Sequence, residues 1–306
     1  MKRLFTLVVV SLLFALVAPV TAQEATPGTG SSLLAELGYP ELRVASDGTT
    51  SDLPAELEAG RYHVIIENTS EVDIDLEFYQ LPEGVTSDDF LAALEEAESG
   101  PTFVPPDYFY EMVFNGGASS LAGETGDVVL DLAPGEWAVN LFTYNPETDE
   151  DSNTIQPLTV TGEMPAVEEV AGAVEIVMAE MYFDVPETLA TGPQIWKVVN
   201  NGQQVHHVIM AGVPEGTTDD DVLALIESEF AGPPASPEVG AATPVEAGLA
   251  FEDVTDFFDT LLFSEGQANW YEVDVQSGTY AMICFMPDPS GTPHVMLGMI
   301  EVFTVE

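Results

Sequence analysis

Cys284-Phe-Met-Pro-Asp-Pro-Ser-Gly-Thr-Pro-His294-Val-Met-Leu-Gly-Met299 contains the only cysteine of a 306-residue chain. Pro287, Pro289, Gly291 and Pro293 stiffen the path from that cysteine to His294, and Met299 follows five residues later. Thiolate, imidazole and thioether are soft donors. A site of two imidazoles, one thiolate and a long axial thioether is the donor set of a mononuclear copper centre. The imidazole that this stretch lacks is offered by Asn200-Asn-Gly-Gln-Gln-Val-His-His207.

The two segments resemble the type 1 copper motif of the cupredoxins, the plastocyanin and azurin family. In that motif one His follows an Asn-Gly-type turn on an early strand, and Cys, His and Met share the loop before the last strand. The resemblance implies a copper cofactor held by His206, Cys284 and His294, with Met299 as the axial ligand. His207 stands where most cupredoxins have an Asn that pins the ligand loop, and it is the alternative to His206. The Cys-to-His spacing exceeds that of plastocyanin and is closer to the loop of copper nitrite reductases, and Phe285 stands where the family usually has a small hydroxyl residue. The implied function is single-electron transfer to a redox partner protein, with His294 as the electron port. The same ligands would also suit a Cu(I) carrier or store, and the fold alone would suit a metal-free protein-binding module. An enzyme is not expected. Multicopper oxidases wire their type 1 copper through histidines beside the Cys, where this chain has Ile283 and Phe285, and too few histidines remain for the second copper of a nitrite reductase.

Residues 1–22 read as an export signal: Lys2 and Arg3, then the apolar run Leu4 to Val17, then the small-residue site Val20-Thr21-Ala22. Residues 23–30 read as a flexible leader. No other long apolar run is present, so membrane insertion is not expected, and the product belongs in the periplasm, at the cell surface or outside the cell. Loss of the signal leaves three basic residues against 53 acidic ones, a formal charge of −50. Such a surface excludes nucleic acid as an ordinary partner, because phosphate must be neutralised by Lys and Arg. The near absence of Lys fits a surface adapted to salt better than one that steers a cationic partner. At 1 M salt the Debye length is only about 3 Å, so steering would fail. An apolar fraction of 46% rules out a disordered acidic chain.

The chain repeats itself. Leu81-Pro-Glu-Gly-Val-Thr-Ser-Asp-Asp89 recurs as Val213-Pro-Glu-Gly-Thr-Thr-Asp-Asp-Asp221, Glu67-Asn68 as Val199-Asn200, and Asp131-Leu-Ala-Pro-Gly-Glu-Trp137 as Asp274-Val-Gln-Ser-Gly-Thr-Tyr280. The expected organisation is a domain over 31–162, a linker over 163–172 and a second domain over 173–306. Both read as β-rich, with short runs of β-branched and aromatic residues bounded by Gly, Pro and Asn. The fold class expected is all-β: two cupredoxin-like Greek-key β-sandwiches with helical insertions. Thr217 or Thr218 should cap the helix before Val222-Leu-Ala-Leu-Ile226, and a Pro/Ala/Gly linker, 232–248, should lead to another helix near 251–263. Carried back through the repeat, His206, His207, Cys284, His294 and Met299 fall on Ile74, Asp75, Leu141, Asp151 and Gln156, so the first domain should lack copper ligands. His63 is expected to be half-exposed and unpartnered, Trp137, Trp196 and Trp270 to be core, and Met282, Met286 and Met296 to be packing residues that surround the site with thioethers.

Overall fold

Runs such as Val64-Ile65-Ile66, Val128-Val129-Leu130 and Ile195-Trp196 give up little conformational freedom on extension and pack well on a pleated surface, so they form strands. The computed structural model describes residues 32–99, 106–148, 150–230 and 249–306. The expected export signal, leader and 232–248 linker lie outside the described residues.

In the first half, β1 (Glu41–Ser46), β3 (Gly60–Asn68) and β6 (Thr125–Leu132) form one layer. The other is β2 (Glu56–Glu58), β8 (Glu150–Thr161), β7 (Gly135–Asn145), β4 (Asp73–Gln80) and β5 (Val113–Ser120), in that spatial order. In the second half, β14 (Ala268–Val275), β11 (Gly192–Asn200), β9 (Val174–Ala179) and β10 (Tyr182–Asp184) lie against β13 (Thr255–Asp259), β12 (Ile209–Val213), β15 (Gly278–Ile283) and β16 (Ile300–Val305). The expected all-β sandwich architecture is what the structure has. Trp137, Trp196 and Trp270 are buried in it, as are Met282 and Met286.

The same devices serve both halves. β1 pairs parallel with β3, as β9 does with β11. Gly60 faces Leu132, and Gly192 faces Val275. Asn68 donates to the Val72 carbonyl at 2.8 Å and accepts from the Ser70 N–H at 2.9 Å; Asn200 does the same with Gln204 at 2.7 Å and Gly202 at 2.8 Å. The Trp137 indole donates to the Ala133 carbonyl at 2.9 Å, and the Tyr280 hydroxyl to the Gln276 carbonyl at 2.9 Å. Besides the single turn α1 (Leu33–Glu36) in the first half, each half carries one long helix, α2 (Ser87–Ser99) or α3 (Asp219–Phe230). Each long helix begins with a Thr whose hydroxyl donates to an Asp carboxylate and accepts that Asp's N–H, Thr86 with Asp89 and Thr218 with Asp221. The cap in the second half is therefore Thr218, while the Thr217 hydroxyl turns to the Pro214 carbonyl.

The two halves share a sheet. β6 and β14 pair antiparallel, Leu130 with Asn269 and Val129 with Trp270, which makes one seven-stranded layer. Asn269, fully buried, accepts from the Gly117 N–H at 3.2 Å and donates to the Asn115 carbonyl at 3.1 Å. The Arg61 guanidinium lies 3.9 Å from the Trp270 ring centroid while it grips Asp131 through two bonds of 2.7 and 2.9 Å.

Two expectations are corrected. The helix expected near 251–263 is a 3-10 turn, Phe251–Asp253, followed by β13 and then an extended run. Thr255, Phe257 and Phe258 favour an edge strand on β12. Beyond it the backbone is satisfied by two partners: Leu262 accepts from the Gly116 N–H at 2.8 Å, and Phe263 exchanges bonds of 2.9 and 3.1 Å with His206. His63 is neither half-exposed nor alone. It is 2% exposed, and its Nε2 lies 2.7 Å from the Asp127 carboxylate on the neighbouring β6.

Candidate metal centre

β15 ends at Ile283, and Cys284 is the first residue past it. Pro287, Pro289 and Pro293 have no N–H to give a ladder, so the chain leaves the sheet as a loop. That loop is tied to itself at many points. The Asp288 carboxylate accepts from the Ser290 N–H at 2.8 Å, the Thr292 N–H at 2.9 Å and the Ser290 hydroxyl at 2.6 Å. These bonds hold it below the usual carboxylate range, the Ser290 hydroxyl contributing most. The His294 N–H donates to the Met286 carbonyl and the Val295 N–H to the Cys284 carbonyl, both at 2.8 Å. A 3-10 turn, His294–Leu297, then stops at Gly298, whose φ of 96° is open to glycine at little cost, and this returns the chain to Met299 and β16.

His206 lies on the approach to β12, the antiparallel neighbour of β15. It sits three residues before β12, with its backbone paired to Phe263 rather than to β15. Its Nδ1 lies 3.0 Å from His294 Nδ1 and 3.8 Å from Cys284 Sγ, and His294 Nδ1 lies 3.5 Å from the same sulfur. All three residues are 0% exposed. Among the described residues they are the one group of His, Cys, Asp and Glu drawn together closely enough to hold a metal ion.

These separations fit around a single first-row ion, whose bonds to imidazole nitrogen and thiolate run about 2.0–2.3 Å. Both rings turn Nδ1 inward and Nε2 outward, so Nε2 carries the N–H whenever Nδ1 binds a metal. His294 Nε2 is 3.1 Å from the Gln204 side-chain oxygen. His206 Nε2 is buried with no hydrogen-bond partner among the described residues, and the Glu180 carboxylate lies 4.0 Å from it. Two nitrogens facing each other at 3.0 Å share a proton when one ring carries it on Nδ1, and a metal ion bound by both takes that proton's place. The donor set therefore fits a type 1 copper site, and copper is the cofactor the cluster could hold.

Electrostatics prepare the imidazoles and leave the sulfur protonated. Burial, then repulsion from the His294 ring, pushes His206 down to about 4 against the pull of Glu180. Burial pushes His294 down to about 4 against the pull of Asp288 and Glu180. Both are neutral ligands at ordinary pH. Burial pushes the Cys284 thiol up to about 12, against the backbone N–H groups of His207 and Met286, so a metal must displace its proton.

His207, the alternative first ligand, faces the other way. Its Nε2 accepts the Phe285 N–H at 2.9 Å, and burial pushes it down to about 3, which keeps that nitrogen free to accept. It pins the ligand loop from β12's side. Met299 is fully buried, its carbonyl 3.4 Å from the Cys284 N–H and its own N–H bonded to the His294 carbonyl at 3.0 Å. Three contributors were not legible in advance: Gln204, Glu180 and Tyr110. The Tyr110 hydroxyl, from the first half, donates to the Pro287 and Asp288 carbonyls at 3.1 Å each, so one half of the molecule holds the metal loop of the other. The signal for Gln204 and Glu180 lay in the repeat, where they replace Val72 and Gly48.

No protein-family model and no curated protein matches the chain. Among solved structures it is similar to reduced auracyanin of the photosynthetic bacterium Roseiflexus castenholzii, at 21% identity over 45% of this chain and 99% of that one, with a TM-score of 0.28. It is also similar to auracyanin A, a blue copper protein of Chloroflexus aurantiacus, at 17% identity over 44% of this chain and 100% of that one, with a TM-score of 0.26. A likeness to Fet3p, a multicopper oxidase that functions in iron import, spans 88% of this chain and 66% of that one at 11% identity, with a TM-score of 0.21. At scores this low these likenesses do not decide what the site does.

Proposed function

We propose that the chain is an exported cupredoxin that carries single electrons at one type 1 copper in its second half. The observation that carries this is the convergence of His206 Nδ1, His294 Nδ1 and Cys284 Sγ within 3.0–3.8 Å in a fully buried spot. His206, Cys284 and His294 are the equatorial ligands and Met299 the axial one. A copper ion held there supplies a one-electron couple. The chain's own part is rigidity: the ligand loop is fastened by Asp288, by His207 and by Tyr110, so the donor atoms need not rearrange between charge states. Ile283 and Phe285 beside the cysteine offer no imidazole toward a second cluster, which supports a carrier rather than an oxidase. Residues 1–22 support export, and among the described residues no helix is long and apolar enough to cross a membrane. In the same reading the first half is a copy of the fold without copper ligands, and the electron partner is a protein met outside the cytoplasm.

The test is a visible absorption and EPR titration of the mature protein with Cu(II), beside Cys284→Ser. An intense thiolate-to-copper band with narrow hyperfine splitting, absent from the variant, is expected. Bound copper without that band sinks the reading. A second reading, Cu(I) carriage, is favoured by Met210, Met282, Met286 and Met299, all buried in the same core as Cys284. Affinity for Cu(I) far above Cu(II), with no reversible voltammetric wave, would select it.

A further inference from the structure

We infer that Glu180 is a positioning residue for both imidazoles, and that its carboxylate biases the site toward the more highly charged state of its metal. The inference rests on the copper reading above and adds to it a residue outside the ligand set.

Glu180 directly follows β9, whose Met178 pairs with Asn200 where β11 ends and the turn to His206 begins. Its Oε1 accepts the N–H groups of Gln203 and Gln204, the latter at 2.9 Å, and lies 4.0 Å from the unpartnered Nε2 of His206. Through the Gln204 backbone it also fixes the side chain whose oxygen meets His294 Nε2 at 3.1 Å. One carboxylate thus stands behind both rings, on the side away from the thiolate. At 4.0 Å it acts on His206 as a charge rather than as a direct acceptor. An outer carboxylate fixes the tautomer of a ligating imidazole and strengthens it as a donor.

The backbone makes room for this group. A Cβ added to Gly202 would lie 2.7 and 2.9 Å from the two Glu180 oxygens, so a side chain there would evict the carboxylate. In the first half the residues at the repeat-equivalent positions are Gly48, Ser70 and Val72, where the second has Glu180, Gly202 and Gln204. The contact itself is kept, since the atoms nearest a Cβ on Gly48 belong to Ser70 and Val72. Carboxylate, clearance and amide occur together only beside the two imidazoles.

The deciding variant is Glu180→Gln, which keeps the shape and one acceptor oxygen and removes the charge, with the exposed Glu187→Gln as a control for general charge. Voltammetry of the copper-loaded protein should show the Cu(I)-to-Cu(II) affinity ratio rising about tenfold in Glu180→Gln, a shift of about 59 mV for a one-electron couple. Glu187→Gln should show little change. In the metal-free protein the His206 ring nitrogens should shift in NMR for Glu180→Gln alone. A potential that moves no further than in the control, or His206 signals that do not move, overturns the inference. The metal-free measurement keeps it testable if the chain takes up no copper, the outcome that would instead defeat the copper reading.

Discussion

The two halves place their strands alike and use two core positions in opposite ways. Phe78 pairs with Val139 in the first half, and at the repeat-equivalent places Met210 pairs with Met282 in the second. Past that pair the first half continues: β7 runs on to Asn145 with Leu141 between Leu76 and Thr154, and the hairpin into β8 is unbroken from Asn145 opposite Glu150. The second half stops at Ile283 and opens into the loop of Cys284, His294 and Met299. Where the first half has Ile74 and Leu141, 1% and 2% exposed, the second has His206 and Cys284, both fully buried. The second half thus differs from the first by an interrupted hairpin and by two donor side chains where the first half has apolar ones. The difference teaches that the donors sit where the sheet is interrupted, past the end of β15 and in the turn before β12, while the sheets around them keep them dry.

The largest break in that comparison is His206→Ile, which gives the second half the residue of the first. Copper affinity should fall more than about 100-fold, beyond the range seen when only an outer partner is lost, as read by competition with a chelator. Asn269→Ala attacks the seam between the halves. It strips partners from the buried Gly117 N–H and Asn115 carbonyl and should cost about 2–4 kcal/mol in denaturant unfolding, with both halves affected. His207→Ala should cost about 1–3 kcal/mol by leaving the Phe285 N–H unpaired, yet keep the thiolate band, whereas loss of the band would make His207 the ligand.

pH sharpens the comparison further. Between about 4, where the His206 and His294 imidazoles become neutral, and about 12, where the Cys284 thiol ionises, the metal-free site holds one proton that a metal must displace. Affinity should therefore rise about tenfold per pH unit across pH 5.5–8, and a flat profile would mean that Cys284 is not a ligand. The smallest effect belongs to Tyr110→Phe. Loss of its bonds to the Pro287 and Asp288 carbonyls should cost about 0.5–1.5 kcal/mol and speed copper release a few-fold, as followed by stopped-flow transfer to a chelator.

How much of this was legible in the sequence follows from where each residue's partners lie. Cys284, His294 and His206 could be read because donor type and spacing are local properties, and the repeat set the apolar Ile74 and Leu141 against His206 and Cys284. The 251–263 segment misled because Phe251, Val254, Phe258, Leu261 and Leu262 fit helical spacing, while its partners, Gly116 and His206, are far away along the chain. His63 misled for a related reason: its partner Asp127 is reached only once β3 and β6 pair. The β6 to β14 seam had no local signal, since two runs that each suit an inner strand do not announce that they meet.

The central claim is that one metal is held by one sulfur and two imidazoles in the second half and none in the first. X-ray absorption at the copper edge, on mature protein loaded with copper and freed of excess, tests it most directly. The account predicts one copper per chain with a single short sulfur bond and two imidazole nitrogens. A shell of oxygen alone, or a second equivalent bound as tightly as the first, would contradict it.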